Sequence, residues 1–345
     1  MYPFMQTRKR ILMLDQPTVY HVISRTAYQS FLFDEDAKDV FVRMLFHQAA
    51  FAGIEILGYC VMSNHIHLMV HVLPINSLPD KTLLERYKSY YGKDKIPQSS
   101  LSFSALEGIL KENGAEAELA RQRILSRMGD LSAFMRELKQ RFTIWYNHKN
   151  GNKGTIWAAR YKSLIVENSP ESLTRVAAYI DLNPVRAEIV EDPKDYRWCG
   201  YAACLAGNRF MRAALGQLFT GSCEYADALK SYRLILFGKG HQSKGTPDSD
   251  QGRISTQALE QVLKEGGHVP VHELLRCRIR YFSDSLALGT QPFVESVFNH
   301  HRSSFGKNRQ KAGSPLPPCN WGSLHTLRDL KRRVYSFEKT SNRSK

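Results

Sequence analysis

Two histidines separated by one residue, His65 and His67, are the side chains best placed in this sequence to do chemistry. They lie in the second of two apolar runs, residues 54–61 and 65–70, which are rich in β-branched side chains and predict an antiparallel hairpin. Alternate side chains of a strand share a face, so both imidazoles emerge together while Ile66, Leu68 and Val70 point into a core. Two neighbouring imidazoles make half of a metal site, and two solvated histidines are the alternative.

A second candidate segment lies far downstream, in residues 169–187. Ser169 and Pro170 are typical of the first positions of a helix, and Pro184 predicts that the helix ends shortly before it. Within this helix Tyr179 and Asn183 are four residues apart, so their side chains share one face. The alternative is that Tyr179 is a core residue and Asn183 a helix cap.

Four strings of the sequence together resemble the single-tyrosine transposases of the HUH superfamily, which are IS200-like and named for His-hydrophobe-His. The resemblance is greatest to the REP-associated tyrosine transposases. The strings are VYHVISR at 19–25, SNHIH at 63–67, KGTIWAARYKS at 153–163 and AYIDLNPVRA at 178–187. They occur in the family's order over roughly residues 15–206.

This resemblance implies a role for each candidate residue. Tyr179 corresponds to the family's nucleophile, and His65, His67 and Asn183 correspond to its metal ligands. It implies Mg²⁺ or Mn²⁺ as the cofactor, whereas paired imidazoles alone also suit zinc. It implies cleavage and rejoining of single-stranded DNA beside the hairpins of repetitive extragenic palindromes, through a 5′-phosphotyrosine that retains the phosphoester and needs no ATP.

Other functions share parts of this pattern. A replication-initiator or relaxase-type HUH nuclease has the two histidines and a tyrosine but differs in motif order or tyrosine number. A plain metal hydrolase uses water as the nucleophile and has no need of Tyr179. A domesticated, non-catalytic DNA-binding protein uses only the basic surface. A homodimer and a monomer are both open from the sequence.

Composition limits the class of protein and its partners. The formal net charge of +15 over 345 residues indicates a polyanionic partner, of which nucleic acid is the commonest. No apolar run approaches the roughly 20 residues of a membrane-spanning helix, and the N-terminal residues lack a signal-peptide core, so we expect a cytoplasmic, nucleoid-associated protein without a membrane partner. The six cysteines include no C-x-x-C pair, which argues against a zinc knuckle or a disulfide framework.

The elements around the motifs predict an α+β fold. A strand at 18–25, a helix at 35–52 capped by Asp34 and stopped at Gly53, and the histidine hairpin suit a ferredoxin-like or RRM-like antiparallel sheet. We expect helices on one face and the other face free for DNA. Residues 1–206 are predicted to form the catalytic domain, with a helical insertion at 76–129, and residues 207–345 a basic, mainly helical DNA-binding region.

Basic and aromatic side chains near the motifs are candidates for DNA contact. A long helix at 131–150 carries several cations on one side, and residues 155–166 interleave aromatic and basic residues, which suits unpaired bases that stack while cations follow the backbone. The predicted DNA contacts are Arg25, Arg136, Lys139, Arg141, Trp157, Arg160, Lys162 and Arg186. A solvated basic face and a core position for Trp157 are the alternatives.

The C-terminal part carries a weaker pattern. Residues 271–280 and 291–298 predict helices on either side of Gly289, as either a helix-turn-helix or an ordinary helical hairpin. Residues 302–345 hold eleven Lys or Arg against Asp329 and Glu338, a net charge of +9. Such a tail is usually solvated, and here we predict a sequence-indifferent DNA clamp.

Overall fold

A mixed seven-stranded sheet organises the chain in the computed structural model, which describes residues 10–92, 101–219, 224–238, 271–316, 321–328 and 335–336. The strands are β1 (Thr18–Arg25), β2 (Ile54–Val61), β3 (His65–Val72), β4 (Lys162–Val166), β5 (Arg278–Ile279), β6 (Ala287–Gly289), β7 (Ser314–Pro315), β8 (His325–Thr326) and β9 (Tyr335–Ser336). The sheet order is β2-β3-β1-β4-β6-β8-β7, and β5 pairs separately with β9. The α+β class is confirmed.

The histidine hairpin has the predicted register. Strand β3 pairs antiparallel with both β2 and β1, and His65 and His67 lie opposite Arg25 and Ile23 of β1. Directly paired residues of an antiparallel ladder project to the same face. Both histidines therefore share one face with Arg25 and Ile23, which we call the histidine face.

Two predicted helices cover the opposite face. Helix α1 (Glu35–Ala52) begins at Asp34, whose carboxylate accepts from the Ala37 N–H, and ends at Gly53, where φ is 67°. Phe46 of α1 packs on Tyr59, a residue that pairs with Leu68 on the face away from the histidines. Helix α5 (Leu131–Asn150) packs against α1. Both helices have the bounds and caps that the sequence predicts.

The histidine face is covered as well, which corrects the expectation that it is free for DNA. Helix α6 (Pro170–Asp181) and the short α12 (Arg280–Asp284) pack over it. The cause is visible in the strands, because this face also carries the apolar side chains of Ile23 and Met69, which are 5% and 0% exposed. Apolar side chains of that size need a second layer to exclude water.

Three helices lie in the described part of the segment 76–129, which the sequence predicts to be an insertion. Its helices are α2 (Asp80–Tyr91), α3 (Phe103–Glu112) and α4 (Ala115–Leu125). They enclose an apolar cluster of their own around Leu83, Leu106 and Ile124, which meets the rest of the fold at Phe51 of α1. The insertion is therefore attached to the side of the fold away from the histidine face.

The remaining helices follow α6 in the chain. They are α7 (Asn183–Arg186), α8 (Gly200–Leu205), α9 (Arg209–Gln217), α10 (Tyr225–Phe237), α11 (Val271–Leu275) and α13 (Gln291–His300). The helix predicted at 291–298 is present as α13, and the one predicted at 271–280 is present in part as α11. Strand β6, which ends at Gly289 and runs parallel to β4, lies between them, so they form neither a helix-turn-helix nor a helical hairpin.

The predicted boundary at residue 206 stays a prediction. Strands β6, β7 and β8 lie beyond residue 206 and belong to the same sheet as β1 to β4. Part of the basic tail is also in the core, since Trp321, Leu324 and Leu327 are almost fully buried. Tail residues 317–320, 329–334 and 337–345 lie outside the described residues, so the clamp prediction now rests on them.

Two further expectations concern the chain as a whole. Among the described helices, none combines the length and apolar character of a bilayer-spanning segment. Four cysteines fall in the described ranges, Cys60, Cys199, Cys204 and Cys277, and each of them is a free thiol. Cys223 and Cys319 lie outside the described residues.

Candidate active site

The structure brings Tyr179 to the two histidines of the motif. The ring of Tyr179 lies 6.2 Å from that of His67, and the His65 and His67 rings are 5.2 Å apart, measured between centroids. All three side chains are buried: Tyr179 is 2% exposed, His67 is 3% exposed and His65 is 5% exposed. Helix α6 places the tyrosine over β3, so the predicted association of the two distant motifs is found.

His65 is oriented by its own neighbour in the hairpin turn. Its Nδ1 lies 2.6 Å from the side-chain oxygen of Asn64, and the Asn64 amide nitrogen donates to the Gln29 carbonyl. That second bond fixes the Asn64 amide with its oxygen toward the ring. Because this oxygen can only accept, His65 carries its proton on Nδ1 and leaves a lone pair on Nε2.

A third histidine, His21, holds the His67 ring. His21 Nε2 lies 2.8 Å from His67 Nδ1, and His21 Nδ1 lies 2.7 Å from the carbonyl oxygen of Phe282. His21 is on β1, diagonal to His67 on the histidine face, and is 1% exposed. Both nitrogens of this buried ring are therefore paired.

Asn183 makes the capping contacts expected of its alternative role as a helix cap. Its amide nitrogen donates to the carbonyls of Tyr179 and Ile180, at 3.3 and 2.9 Å, which is the capping role. The side chain also lies within hydrogen-bonding reach of His65, a contact that raises the pKa of that ring against the larger effect of burial. With Nδ2 committed to the carbonyls, Oδ1 is the atom left to face His65.

This arrangement fits a cation. The Asn183 oxygen and the neutral imidazole nitrogens of His65 and His67 are electron-pair donors. Nitrogen and oxygen donors of this kind suit a divalent metal. Within the described residues no group of three His, Cys, Asp or Glu is placed to hold a metal ion.

Burial keeps the histidines neutral. Desolvation, followed by the positive charges of Arg25, Arg186 and Arg278, lowers the pKa of His65 to about 3. Desolvation is also the main cause that lowers the pKa of His21 to about 4 and that of His67 well below its ordinary value. Neutral imidazoles are the form that binds metals, and the surrounding arginines favour an anionic ligand such as phosphate.

Arg186 lies against the tyrosine. Its guanidinium carbon is 4.1 Å from the centre of the Tyr179 ring, and its nitrogens donate to the carbonyls of Tyr179 and Leu275 at 2.7 and 2.9 Å. The side chain is 7% exposed. The residue predicted as a DNA contact is thus buried with its guanidinium over the Tyr179 ring.

Two of the predicted DNA contacts border the histidines. Arg25 is partly exposed and lies directly opposite His65, and Lys162 lies opposite Ile23 on the same face. Lys162 forms an ion pair with Asp284 at 2.8 Å, in which the lysine side chain is 52% exposed. The exposed edge of the site is therefore beside Arg25 and Lys162.

Four cations line a separate cavity of about 820 Å³ between α5 and residues 154–161. They are Arg10, Arg136, Lys139 and Arg160, and no acidic residue contributes to the described lining. Burial, together with Arg10, lowers the pKa of Lys139 to about 8. We call this cavity the cationic groove.

The remaining predicted contacts are placed differently. Trp157 borders the cationic groove but is only 6% exposed, packs against Phe33 and Phe142, and donates its indole N–H to Thr143. Its position matches the alternative of a core residue. Arg141 lies over the Tyr90 ring of the insertion, away from the groove.

Three site residues were not singled out from the sequence. His21 is part of the first motif string, but the sequence gives no sign that its side chain meets His67. Arg278 and the Phe282 carbonyl come from the region predicted to be a DNA-binding helix, and no local pattern places that segment over the histidines.

Comparison with known proteins supports the resemblance. Residues 16–94 match the model of the family described as "Transposase IS200 like", a segment that contains β1, α1 and the histidine hairpin. A structure of a REP-associated tyrosine transposase bound to a REP hairpin is 15% identical, with a TM-score of 0.37, over 59% of this chain and 87% of that chain. A putative transposase from Deinococcus radiodurans R1 is 18% identical, with a TM-score of 0.22, over 53% and 92%. No curated protein sequence matches the chain.

Proposed function

We propose, from the premise that residues 16–94 are those of an IS200-like transposase, that this chain is a DNA transposase that cleaves and rejoins single strands. Tyr179 is the nucleophile, and His65, His67 and Asn183 hold Mg²⁺ or Mn²⁺. The substrate is single-stranded DNA beside a palindromic hairpin, in accord with the motif strings. One observation carries the proposal, namely that the rings of His65 and His67 pack together beside the buried ring of Tyr179.

The chemistry follows from the residues around Tyr179. A tyrosine hydroxyl is a weak nucleophile near neutral pH and needs help to attack a phosphodiester. The phenolic oxygen bonds to phosphorus, the bond from phosphorus to the 3′-oxygen breaks, and the phenolic proton ends on that 3′-oxygen. The products are a 5′-phosphotyrosine and a free 3′-OH, and the reverse attack rejoins strands.

The chain's own charges favour this step. Arg186 lies over the Tyr179 ring, where its guanidinium stabilises negative charge that develops on the phenolic oxygen and the phosphate. Arg25 and Arg278 raise the positive potential at His65 and attract the DNA backbone. A divalent cation held by His65, His67 and Asn183 would supply polarisation of the scissile phosphate. Because His65, His67 and Tyr179 are buried, entry of a strand requires side chains at the Arg25 edge to move apart.

The cationic groove is proposed as the path of the DNA backbone. The groove lies on the α5 side of the sheet, and at its wall the Ala158 N–H donates to the carbonyl of Arg25, the residue opposite His65. Uncompensated cations in one cavity repel each other, which adds to burial in lowering the pKa of Lys139. A phosphate in the groove relieves that repulsion.

Removing two groove charges should weaken binding in a salt-dependent way. The double variant Arg136→Ala with Arg160→Ala removes two exposed groove cations. Each phosphate contact contributes a log-log salt slope of about −0.7 on single strands, so we expect the slope to become less negative by about 1.4. Fluorescence anisotropy of a labelled single strand at several salt concentrations measures this.

A double variant that removes the same amount of charge is the control. Arg43→Ala with Arg123→Ala removes two exposed arginines from α1 and the insertion, outside the groove. We expect its slope to match the wild type. Equal slopes for the two double variants would show that the groove does not carry DNA.

The tail clamp is tested by charge rather than by deletion, because deletion would remove the buried Trp321. Replacing Lys331, Arg332 and Arg333 by glutamine should flatten the salt slope by up to about 0.7 for each of these cations that neutralises a phosphate. Binding should weaken for all sequences alike, and the cleavage position should not move. An unchanged slope would mean that these residues are solvated, and a moved cleavage position would mean that they read sequence.

Covalent trapping separates this proposal from two of the alternatives. A hairpin with a single-stranded flank, labelled on each side of the cleavage position in turn, should give a denaturation-resistant protein adduct carrying only the label on the 3′ side. A metal hydrolase cuts without an adduct, and a non-catalytic DNA-binding protein binds without cutting. A replication-initiator or relaxase-type nuclease also gives the adduct, and it differs from this proposal in its motif order or tyrosine number.

A further inference from the structure

Three groups from three parts of the chain form one line of hydrogen bonds that ends at His67. The Phe282 carbonyl of α12 lies 2.7 Å from His21 Nδ1, and His21 Nε2 lies 2.8 Å from His67 Nδ1. The two imidazoles are nearly parallel, with centroids 5.1 Å apart and an angle of 24° between their planes. The line lies in the interior, since His21 and His67 are 1% and 3% exposed and Phe282 is fully buried.

The chemistry of the first group fixes the proton positions in the other two. A carbonyl oxygen accepts and never donates, so His21 must carry its proton on Nδ1. A neutral imidazole has one N–H, and His21 Nε2 is then an acceptor. His67 must donate to it from Nδ1, which leaves Nε2 as the nitrogen with a lone pair.

We propose that His21 is a positioning residue that sets the tautomer of His67, and that the Phe282 carbonyl sets that of His21. This inference rests on the proposed function, in which His67 binds a metal. In this proposal the C-terminal segment that carries Phe282 fixes the proton positions on His21 and His67, in addition to covering the histidine face. Metal-binding histidines commonly donate their second ring N–H to an acceptor that fixes ring and tautomer, and here another histidine takes that role.

The other histidine of the hairpin, His65, is also held by an acceptor at its Nδ1. Asn64 accepts from His65 Nδ1, so both rings of the motif are held with their protons on Nδ1. The difference lies in the origin of the acceptor. For His65 it is the preceding residue, whereas for His67 it depends on a contact between β1 and a helix far along the chain.

Substitutions at His21 can separate the two hydrogen bonds. In His21→Gln, the side-chain amide lies near the position of the original His21 Nε2 and offers its oxygen as an acceptor to His67 Nδ1. Asparagine reaches only the position of Nδ1, so it keeps a donor for the Phe282 carbonyl and offers His67 no acceptor. Leucine fills similar space and keeps neither bond. All three are compared with the wild type, with circular dichroism as the check on folding.

The first readout needs no metal. Nitrogen-15 NMR of the ring of His67 reports which nitrogen carries the proton. We expect Nδ1–H in the wild type and in His21→Gln, and a mixture of both tautomers in His21→Asn and His21→Leu. A structural role in packing alone would not make asparagine and glutamine differ in this way.

The second readout is the dissociation constant of Mn²⁺ without DNA, from electron paramagnetic resonance of the free ion. Removing an outer partner of a metal ligand weakens affinity by about 10-fold to 100-fold, which we expect for His21→Asn and His21→Leu and not for His21→Gln. Unchanged Mn²⁺ affinity and an unchanged His67 tautomer in the asparagine variant would overturn the inference. So would a wild-type His67 protonated on Nε2, even if every variant failed to fold.

Failure of the proposed function gives a different result. If the wild type binds Mn²⁺ no better than His65→Ala does, the metal site is wrong. The NMR measurement, made without metal, then still decides whether His21 sets the tautomer of His67.

Discussion

Tyr179→Phe is expected to abolish DNA strand cleavage while hairpin binding stays close to that of the wild type. The substitution removes one oxygen from a ring that is 2% exposed and packs between His67, Phe282 and the Arg186 guanidinium. These contacts involve the ring, so the variant should fold normally. Without the attacking atom there is no route to the covalent intermediate, and we expect a drop on the order of 10⁶-fold, the scale seen when a nucleophile is deleted.

The measurement is single-turnover cleavage of a labelled hairpin substrate, with anisotropy for binding. Tyr59→Phe is the matched control, because Tyr59 is also 2% exposed but lies on the face of the sheet away from the histidines. We expect the control to cleave normally. Cleavage by Tyr179→Phe at the wild-type rate would place the nucleophile elsewhere.

His65→Ala and His67→Ala should each remove the metal-dependent part of cleavage, and EDTA should have the same effect on the wild type. Each variant deletes one of two neutral imidazoles beside Tyr179, and removing either leaves too few protein ligands to hold the ion. The rate should fall by several orders of magnitude, because electrostatic stabilisation of the phosphate is then missing. Titration of Mg²⁺ and Mn²⁺ into chelator-treated protein measures the effect.

His71→Ala is the control for the histidine variants. His71 lies on the same strand face but is paired with Glu55 at 2.9 Å, away from Tyr179. Its cleavage and metal dependence should be those of the wild type. Cleavage that persists in EDTA would contradict the metal assignment while leaving the tyrosine assignment intact.

The sequence predicts the local elements of the site well. The period of two around His65 and His67 fixes the hairpin face, and the Ser169, Pro170 and Pro184 signals fix the helix that carries Tyr179. Both depend on interactions between residues near in sequence, which propensity and capping describe. The association of the two segments came from the resemblance rather than from the pattern.

The parts that the sequence does not predict depend on contacts across the whole chain. The strand β6 between α11 and α13 depends on its pairing with the distant β4, and nothing local to residues 278–284 indicates that they cover the histidine face. The hydrogen bond from His21 to the Phe282 carbonyl joins residues 261 positions apart. Such pairings are set by packing of the complete fold, which no window of sequence contains.

The most direct test of the central claim is mass spectrometry of the trapped covalent adduct. Trypsin cleaves after Arg175 and Arg186, and the resulting peptide of residues 176–186 contains Tyr179 as its one tyrosine. After reaction with hairpin DNA and nuclease trimming, we expect this peptide to carry a nucleotide attached through its 5′-phosphate. An adduct on any other peptide, or cleavage of the strand with no adduct at all, would contradict the account.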